Sequence, residues 1–199
     1  MKAEELFARN GYEGTTVRDI AHAADVNLAM ISYYFGSKEK LIEVLFHERM
    51  EGTRLQIEAV VNNKALLPFQ KLAILIDQYI ERVFAHQDFY KVMLTQQMLH
   101  KNDIILKFTR QFKLSYATLI EDVIKDGKRL KHFTAREVDT LLLLTTMTGT
   151  VMQAVINKDY YKEFNKHTKL KEVDFDELLK LKLSIHLKNI FKVTLGYEQ

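Results

Sequence analysis

The sequence contains no cysteine. Disulfide frameworks, thiolate catalysis and cysteine-ligated zinc are therefore excluded, and the absence suits the reducing cytoplasm, where we expect the protein to be located. Proline occurs once, at Pro68, and glycine only seven times among 199 residues. Because both residues end helices and shape turns, their scarcity favours long helices over many short strands. Hydrophobic residues make up 47% of the chain, which is enough for a packed core, and we expect an all-α fold.

Long hydrophobic runs are also scarce. The first residues, MKAEELFARNG, contain no apolar signal-peptide core. The longest run without a charged residue covers residues 140–157, about the minimum length of a membrane-spanning helix. Five threonines and Gln153 interrupt it, and these are poor residues for a lipid-facing surface. We therefore predict a helix that is buried in protein, and no membrane partner.

Positive charge is not concentrated where a nucleic acid would need it. The formal net charge of the chain is +3, yet residues 1–48 carry five Lys and Arg against eight Asp and Glu. A broad basic patch therefore cannot explain DNA binding by this segment. If the segment binds DNA, a few well-placed contacts must do so.

Side chains that cap helices divide the first part of the chain. Gly11 ends a first helix over residues 3–10, which is so short that we expect further residues before Met1 in the native chain. A capping box of Thr16 and Asp19 starts a second helix, with an apolar face of Val17, Ile20, Ala21 and Ala24.

A second pair of helix start and stop signals follows the second predicted helix directly. Residues 25–27 form a turn, Asn27 can cap a helix over residues 28–34, and Gly36 ends it. Two short capped helices joined by a three-residue turn have the dimensions of a helix-turn-helix, whose second helix can enter a major groove. Helix pairs of this size also occur as plain packing units, so the spacing alone leaves both possibilities open.

The rest of the chain is predicted to be helical with one loop. Ser37 precedes a long helix, and Pro68 suits the first turn of the next. Gly127 is expected to end a later helix, and Thr134 with Glu137 to cap the one that follows. Leucines alternate with polar residues near the C-terminus as in a strand, but Asp174 and Glu177 can cap a helix, and a lone strand would have no partner. The predicted helices cover residues 38–61, 68–86, 89–99, 104–126, 134–157 and 174–195, with a loop over residues 158–173.

The residues of the helix pair resemble the DNA-binding head of the tetracycline-repressor-like (TetR) family. The resemblance rests on NGYEGTTVRDIA at residues 10–21, ISYYF at residues 31–35 and SKEKL at residues 37–41. It covers about the first quarter of the chain, and the remainder agrees only in length, helix order and lack of helix breakers. The resemblance implies a three-helix, DNA-binding helix-turn-helix head over residues 1–48. It also implies a helical ligand-binding and dimerisation body over residues 49–199.

The resemblance further implies a homodimeric repressor that leaves double-stranded operator DNA when a small molecule binds. Thr16 and Arg18 would contact phosphates. Lys38, Tyr33 and Tyr34 would contact the DNA backbone. Departures from the family lie at Leu28, Ala29 and Met30, where relatives carry polar residues or glycine, and at Ser32, where they carry tyrosine. The apolar side chains of Leu28, Ala29 and Met30 cannot form bidentate hydrogen bonds to bases, but they can contact thymine methyl groups. The complete set of expected DNA-binding residues is Thr16, Arg18, Asn27, Leu28, Ala29, Met30, Ser32, Tyr33, Tyr34 and Lys38.

Local packing offers a plainer role for some of these residues. Tyr33 or Tyr34 can pack against the head, and Arg18 can pair with a nearby acid. Because the body is rich in methionine and aromatic residues, we expect a pocket for a small apolar effector lined by Tyr79, Val83, Phe112, Tyr116 and Met147. Two body helices are apolar almost all round and therefore need a partner on both sides. We expect a dimer interface at Thr148, Gly149, Met152, Leu178, Leu181 and Ile185.

No catalytic constellation stands out. The seven histidines are scattered, and the chain has no Gly-rich phosphate loop, so we expect no cofactor, no metal and no enzymatic activity. Two other classes of protein remain open. One is a helical adaptor that has lost DNA binding, and the other is a small helical enzyme.

Overall fold

The computed structural model describes residues 2–99 and 103–197, and within these ranges it contains ten α-helices and no strand. The all-α prediction is confirmed. The helices are α1 (Lys2–Asn10), α2 (Val17–Ala23), α3 (Leu28–Phe35), α4 (Lys38–Val61), α5 (Pro68–Ala85), α6 (Gln87–Leu99), α7 (Asp103–Arg129), α8 (Thr140–Ile156), α9 (Lys158–Phe164) and α10 (Glu172–Leu195).

The chain divides into two compact units. The first unit comprises residues 1–55 and 86–114, and its helix α1 packs against α2 and α6. Its core is apolar and rich in aromatic residues, and the rings of Phe46 and Phe89 lie 4.7 Å apart between centroids. Ile20 and Ile31 bury the inner faces of α2 and α3 in this core. The compact unit that contains the helix-turn-helix therefore extends beyond residue 48.

The second unit comprises residues 56–85 and 115–199, and α5 packs against α10 and α8. One stripe of α5 is buried, and at its edge Asp77 accepts a hydrogen bond of 2.6 Å from the Ser184 hydroxyl. Lys188 pairs with the other oxygen of Asp77, and Lys180 pairs with Glu81. Apolar packing and ion pairs therefore fix α10 along α5.

The alternating sequence near the C-terminus forms a helix, as predicted. Leu179, Leu183 and Leu187 recur at helical spacing and are buried, whereas Leu181 and Ile185 are 58% and 54% exposed. A strand would place all five leucine-type side chains on one face. The helix starts at Glu172 rather than at the predicted Asp174.

The prediction that Gly127 ends a helix is wrong, because α7 continues to Arg129. Gly127 is buried, and a Cβ atom built there would overlap the ring of Phe133. Its carbonyl oxygen accepts hydrogen bonds from the backbone N–H groups of His132 and Phe133. The missing side chain therefore serves close packing of the turn that follows, not helix termination.

The capping box of Thr134 and Glu137 is also wrong. The hydroxyl of Thr134 donates a 2.8 Å hydrogen bond to the carbonyl oxygen of Gly196, at the far end of α10. Helix α8 instead starts at Thr140, and the side chain of Asp139 accepts a hydrogen bond from the N–H of Leu142. A partner more than sixty positions away outcompeted the local cap.

The predicted loop over residues 158–173 contains the short helix α9. Lys158 at its start pairs with Glu172 and Asp176 of α10. The rings of Tyr161 and Phe175 lie 6.3 Å apart between centroids. These contacts supply an anchor that the polar sequence does not reveal.

Within the described residues, no single helix has the length and apolar character needed to cross a membrane. Helices α8 and α9 reach the required length and composition only together, and they are bent by 79° at the break between them.

Candidate nucleic-acid interface

Helix α2 begins with the predicted capping box. The hydroxyl of Thr16 accepts the N–H of Asp19 at 3.1 Å, and the Asp19 carboxylate accepts the Thr16 N–H at 2.8 Å. Hydrogen bonds from Thr16 lower the pKa of the exposed Asp19 carboxyl. Arg18 is exposed beside this cap. Ala24, which was expected on the apolar face, is an exposed C-cap residue, because α2 ends one residue earlier.

Helix α3 exposes nearly all of its side chains. Asn27 caps it by accepting the N–H of Ala29 at 2.8 Å, and Gly36 ends it with φ of +72°. Ile31 is its buried residue. The exposed remainder contains Leu28 at 36%, Met30 at 50%, Tyr33 at 84% and Tyr34 at 69%, together with Ala29 and Ser32. The two tyrosine rings meet edge to face, with centroids 5.2 Å apart.

Lys38, at the start of α4, is held by Tyr12 from the turn after α1. Its ammonium donates a 2.9 Å hydrogen bond to the Tyr12 carbonyl oxygen and lies 4.2 Å from the centroid of the Tyr12 ring. The Tyr12 hydroxyl in turn donates to the Glu39 carboxylate at 3.1 Å. Burial, and then the negative charge of Glu39, raise the pKa of Tyr12, so the hydroxyl stays protonated and remains a donor. These contacts fix the α3–α4 junction to the end of α1.

The first unit also holds a buried ion pair that joins α1 to α4. Arg49 Nε and Glu4 Oε1 are 2.8 Å apart, and a second bond of 3.1 Å makes the pair bidentate. Burial opposes ionisation of Glu4, but the neighbouring hydrogen-bond donors and positive charges, Arg49 foremost, together outweigh it and lower the pKa of the carboxyl. The Nη1 atom of Arg49 also lies 3.5 Å from Nε2 of His86, and burial followed by the Arg49 charge lowers the pKa of His86.

The expected DNA-binding residues therefore lie on one continuous stretch, from Thr16 at the start of α2 to Lys38 at the start of α4. Sequence reasoning missed Tyr12, Glu4 and Arg49, which position that stretch. The partners of Tyr12 and Glu4 lie 26 to 45 positions away, and no local pattern marks such pairs.

The residues expected to line an effector pocket do not all fall in one unit. Tyr79, Val83 and Met147 are buried in the second unit, which also contains Tyr116. Phe112 packs against the core of the first unit. The first three are therefore core residues of the second unit.

The residues expected at a dimer interface differ in exposure. Gly149, Leu181 and Ile185 are exposed, and Thr148 and Leu178 are partly buried. Met152 is 8% exposed and packs inside its own protomer.

Two short capped helices, the second presenting almost its whole surface to solvent, follow α1 in a chain whose described residues form helices joined by turns and loops. This is the architecture of a helix-turn-helix transcriptional regulator that binds DNA. Residues 2–45 match the family model for bacterial regulatory proteins of the tetR family. The first part of the chain is therefore similar to the DNA-binding region of that family.

The proteins to which the chain is similar are described as regulators as well. A Bacillus subtilis (strain 168) protein described as a probable HTH-type transcriptional regulator, YttP, is 26% identical over 162 residues, covering 79% of this chain and 75% of its own. The fatty acid metabolism regulator protein of the same strain is 25% identical over 163 residues, covering 80% and 82%. The solved structure of the fatty acid degradation regulator FadR from Bacillus halodurans has a TM-score of 0.67 at 26% identity, covering 94% of this chain and 91% of that chain.

Proposed function

We propose that this protein is a dimeric cytoplasmic repressor that leaves its operator when a small apolar effector binds. Residues 1–48 act as the DNA-binding domain, and residues 49–199 bind the effector and form the dimer. The observation that carries the proposal is the exposure of α3, where Met30, Tyr33 and Tyr34 are at least half exposed although all three have large apolar surfaces. A helix of this kind gains a partner when it enters a major groove.

The proposed contacts to DNA are of two kinds, those to the phosphate backbone and those to the bases. An ammonium group has three N–H donors, and Lys38 uses one of them on the Tyr12 carbonyl oxygen. Two donors are thus left for a phosphate at the N-terminus of α4, where the helix dipole also favours an anion. Tyr33, Tyr34 and Arg18 reach the backbone on either side. Leu28, Ala29, Met30 and Ser32 face the bases, and their small or apolar side chains favour A·T pairs through the thymine methyl group.

The test is selection of bound sequences from random duplex DNA, followed by binding measurements with the best sequence. In Lys38→Ala we expect weaker binding to every sequence and a slope of log affinity against log salt that is smaller by about 0.9, because one phosphate contact is lost. Lys40→Ala is the matched control, since Lys40 lies in the same helical turn but pairs with Glu43 at 2.9 Å.

Two results of this experiment would contradict the proposed placement of α3 in the major groove and of Lys38 at a phosphate. An unchanged salt slope in Lys38→Ala would show that Lys38 does not meet a phosphate. Failure to enrich any sequence would favour the helical adaptor over the regulator. Met30→Ala should instead change the preferred base pair while leaving the salt slope intact, because Met30 carries no charge.

An apolar effector is supported by composition and by relatives. Two similar proteins are regulators of fatty acid metabolism and degradation. We propose that the effector enters the second unit beside Tyr79, Val83 and Met147 and displaces core contacts, with Tyr116 of the same unit as a further candidate. Helix α4 runs without a break from Lys38, three residues after the end of α3, to Val61. A displacement of its far end is therefore transmitted to α3, the proposed recognition helix.

The energy required for this switch is small. An effector that favours the non-binding state by about 1–3 kcal/mol changes operator affinity about 5- to 150-fold. By the same linkage, operator DNA weakens effector binding by an equal factor.

Dimerisation is supported by apolar side chains that the protomer leaves uncovered. Helix α8 exposes Leu142 and Ile156, at 65% and 47%, and α10 exposes Leu181 and Ile185. A groove of about 680 Å³ between α8, α9 and α10 is lined in part by Thr150, Gln153, Tyr161 and Lys182. We propose that α8 and α10 of a second copy cover these surfaces in a four-helix interface.

A further inference from the structure

Two residues of opposite charge that are adjacent in sequence do not pair with each other. Lys38 and Glu39 begin α4, and the structure, which describes both, shows no ion pair between them. Each contacts Tyr12 instead. The Lys38 ammonium lies 4.2 Å from the centroid of the Tyr12 ring and donates to the Tyr12 carbonyl oxygen at 2.9 Å. The Glu39 carboxylate accepts a 3.1 Å hydrogen bond from the Tyr12 hydroxyl.

The Tyr12 side chain is a firmly packed support for both contacts. It is 6% exposed in the core of the first unit, and its ring centroid lies 5.5 Å from that of Phe7. Burial, and then the charge of Glu39, raise the pKa of the phenol, so the hydroxyl keeps its proton and remains a donor at neutral pH. The hydroxyl therefore serves Glu39, whereas the ring and the carbonyl oxygen serve Lys38.

Glu39 carries a full negative charge close to the place proposed for an operator phosphate. Its side chain is exposed, and hydrogen bonds from its own backbone N–H, from the Ser37 hydroxyl and from Tyr12 lower the pKa of the carboxyl. The carboxylate is therefore ionised at neutral pH. A carboxylate that pairs with an ammonium occupies the N–H donors that a phosphate needs, so a pair of Glu39 with Lys38 would compete with DNA.

We propose that Tyr12 is a positioning residue for DNA binding, whose hydroxyl holds the Glu39 carboxylate away from the Lys38 ammonium. Two N–H donors of Lys38 are thereby kept free for a phosphate. The inference rests on the proposed contact between Lys38 and the operator, and it names the residue that keeps this contact available.

The first test removes the hydroxyl alone. Tyr12→Phe keeps the ring and the backbone carbonyl, so both contacts of Lys38 are retained while the Glu39 carboxylate is released. Because the phosphate must then displace an exposed ion pair, affinity for the selected operator should decrease about 2- to 5-fold for each head. The slope of log affinity against log salt should decrease by at most about 0.9 for each head, the change expected when Lys38 loses its phosphate entirely.

Glu39→Gln supplies the rescue. Combined with Tyr12→Phe, it removes the charge that competes for Lys38, so operator affinity and salt slope should return to within about twofold of those of Glu39→Gln alone. Both proteins with Tyr12→Phe lack the same hydroxyl, so the recovery cannot come from a restored hydrogen bond. Glu13→Gln is the matched control, because Glu13 is exposed beside Tyr12 and its replacement changes the charge of the head equally, although the hydroxyl is bonded to Glu39. This control should not restore binding.

A cycle with Lys38→Ala tests whether Tyr12 acts through Lys38. In a protein that already carries Lys38→Ala, Tyr12→Phe should change operator affinity by less than about twofold, since the ammonium for which Glu39 competes is absent. If the two substitutions instead reduce affinity independently, Tyr12 affects DNA binding by another route and the inference is overturned.

The same variants separate this inference from the proposed function. If Lys38→Ala weakens binding and flattens the salt slope but Tyr12→Phe behaves as wild type, the inference is overturned and the proposed DNA contact stands. If Tyr12→Phe weakens binding and Glu39→Gln does not restore it, or Glu13→Gln restores it equally well, Tyr12 has a purely structural role and the inference is overturned. If Lys38→Ala binds DNA as wild type does, the proposed contact fails and the inference fails with it. Rescue by Glu39→Gln alone, confined to proteins that retain Lys38, supports the inference.

Discussion

At the residue scale, Arg49 joins two side chains of the first unit, Glu4 and His86. It forms a bidentate pair with Glu4, and its Nη1 atom lies 3.5 Å from His86 Nε2, which can accept a hydrogen bond only while His86 is neutral. Protonation of His86 would place a second positive charge beside Arg49. The cluster therefore has a preferred charge state, with Glu4 ionised and His86 neutral.

This charge state predicts a pH dependence of stability. Burial, and then Arg49, lower the pKa of His86 below its ordinary value of 6.5. Between the two values the unfolded chain binds more protons than the folded chain, so the free energy of unfolding decreases as the pH falls below about 6.5. The His86→Gln variant keeps an acceptor but cannot titrate, and should lose less stability than wild type between pH 7.5 and 5.5.

Urea denaturation at the two pH values measures the effect. The difference between wild type and variant isolates His86 from the other histidines, which both proteins share. Identical pH dependence in the two proteins would refute the role assigned to His86. Below pH 4.5 a second loss is expected in both, because the pKa of Glu4 is lowered and its protonation breaks the pair with Arg49.

At the element scale, two helix-interior glycines have opposite surroundings. Gly52 in α4 has no atom within 4 Å of a Cβ built on it, whereas a Cβ on Gly127 in α7 would overlap the Phe133 ring. Helix propensity treats both positions alike, because alanine is better than glycine in any helix interior. The two positions differ because the Phe133 ring packs against Gly127, whereas the space beside Gly52 is open.

The two glycines give a matched pair of substitutions. Gly52→Ala should stabilise the protein by about 0.5–1 kcal/mol, since only the backbone entropy changes. Gly127→Ala should destabilise it by about 1–3 kcal/mol, because the Phe133 ring must move out of a packed position. Chemical denaturation of both variants tests the pair, and stabilisation by Gly127→Ala would contradict the packing at the end of α7.

At the scale of the whole molecule, the proposed function depends on a second copy. The proposed interface is formed by α8 and α10, whose exposed apolar side chains include Leu142, Leu181 and Ile185. Gly149 lies on the exposed side of α8, and a Cβ on it meets nothing within 4 Å in the protomer. A large residue there is compatible with the folded protomer but not with a close helix crossing.

Gly149→Arg should therefore fold normally and sediment as a monomer at micromolar concentration, where wild type sediments as a dimer. Its operator affinity should decrease, because two recognition helices are needed to span successive major grooves about 34–36 Å apart. Ala59→Arg, at an exposed position of α4, serves as the control. A wild-type monomer at the same concentration would refute the interface.

The sequence by itself determined the features that depend on neighbours close in the chain. Thr16 caps α2 through Asp19, Asn27 caps α3 through Ala29, and Ser37 accepts the N–H of Lys40 in the first turn of α4. Each bond spans two or three residues, so local patterns predict it, and the helix-turn-helix could be recognised from its residues. The same locality predicted the full extent of α4.

Only the tertiary structure decided the features that depend on distant partners. Thr134 binds Gly196 instead of capping a helix, and Lys158 anchors α9 through Glu172 and Asp176 of α10. Lys38 donates one hydrogen bond to the carbonyl oxygen of Tyr12, and Asp77 and Glu81 form ion pairs with Lys188 and Lys180 of α10. A side chain binds whichever partner the packed core brings within reach, and that proximity is set by the packing of whole helices rather than by spacing along the chain.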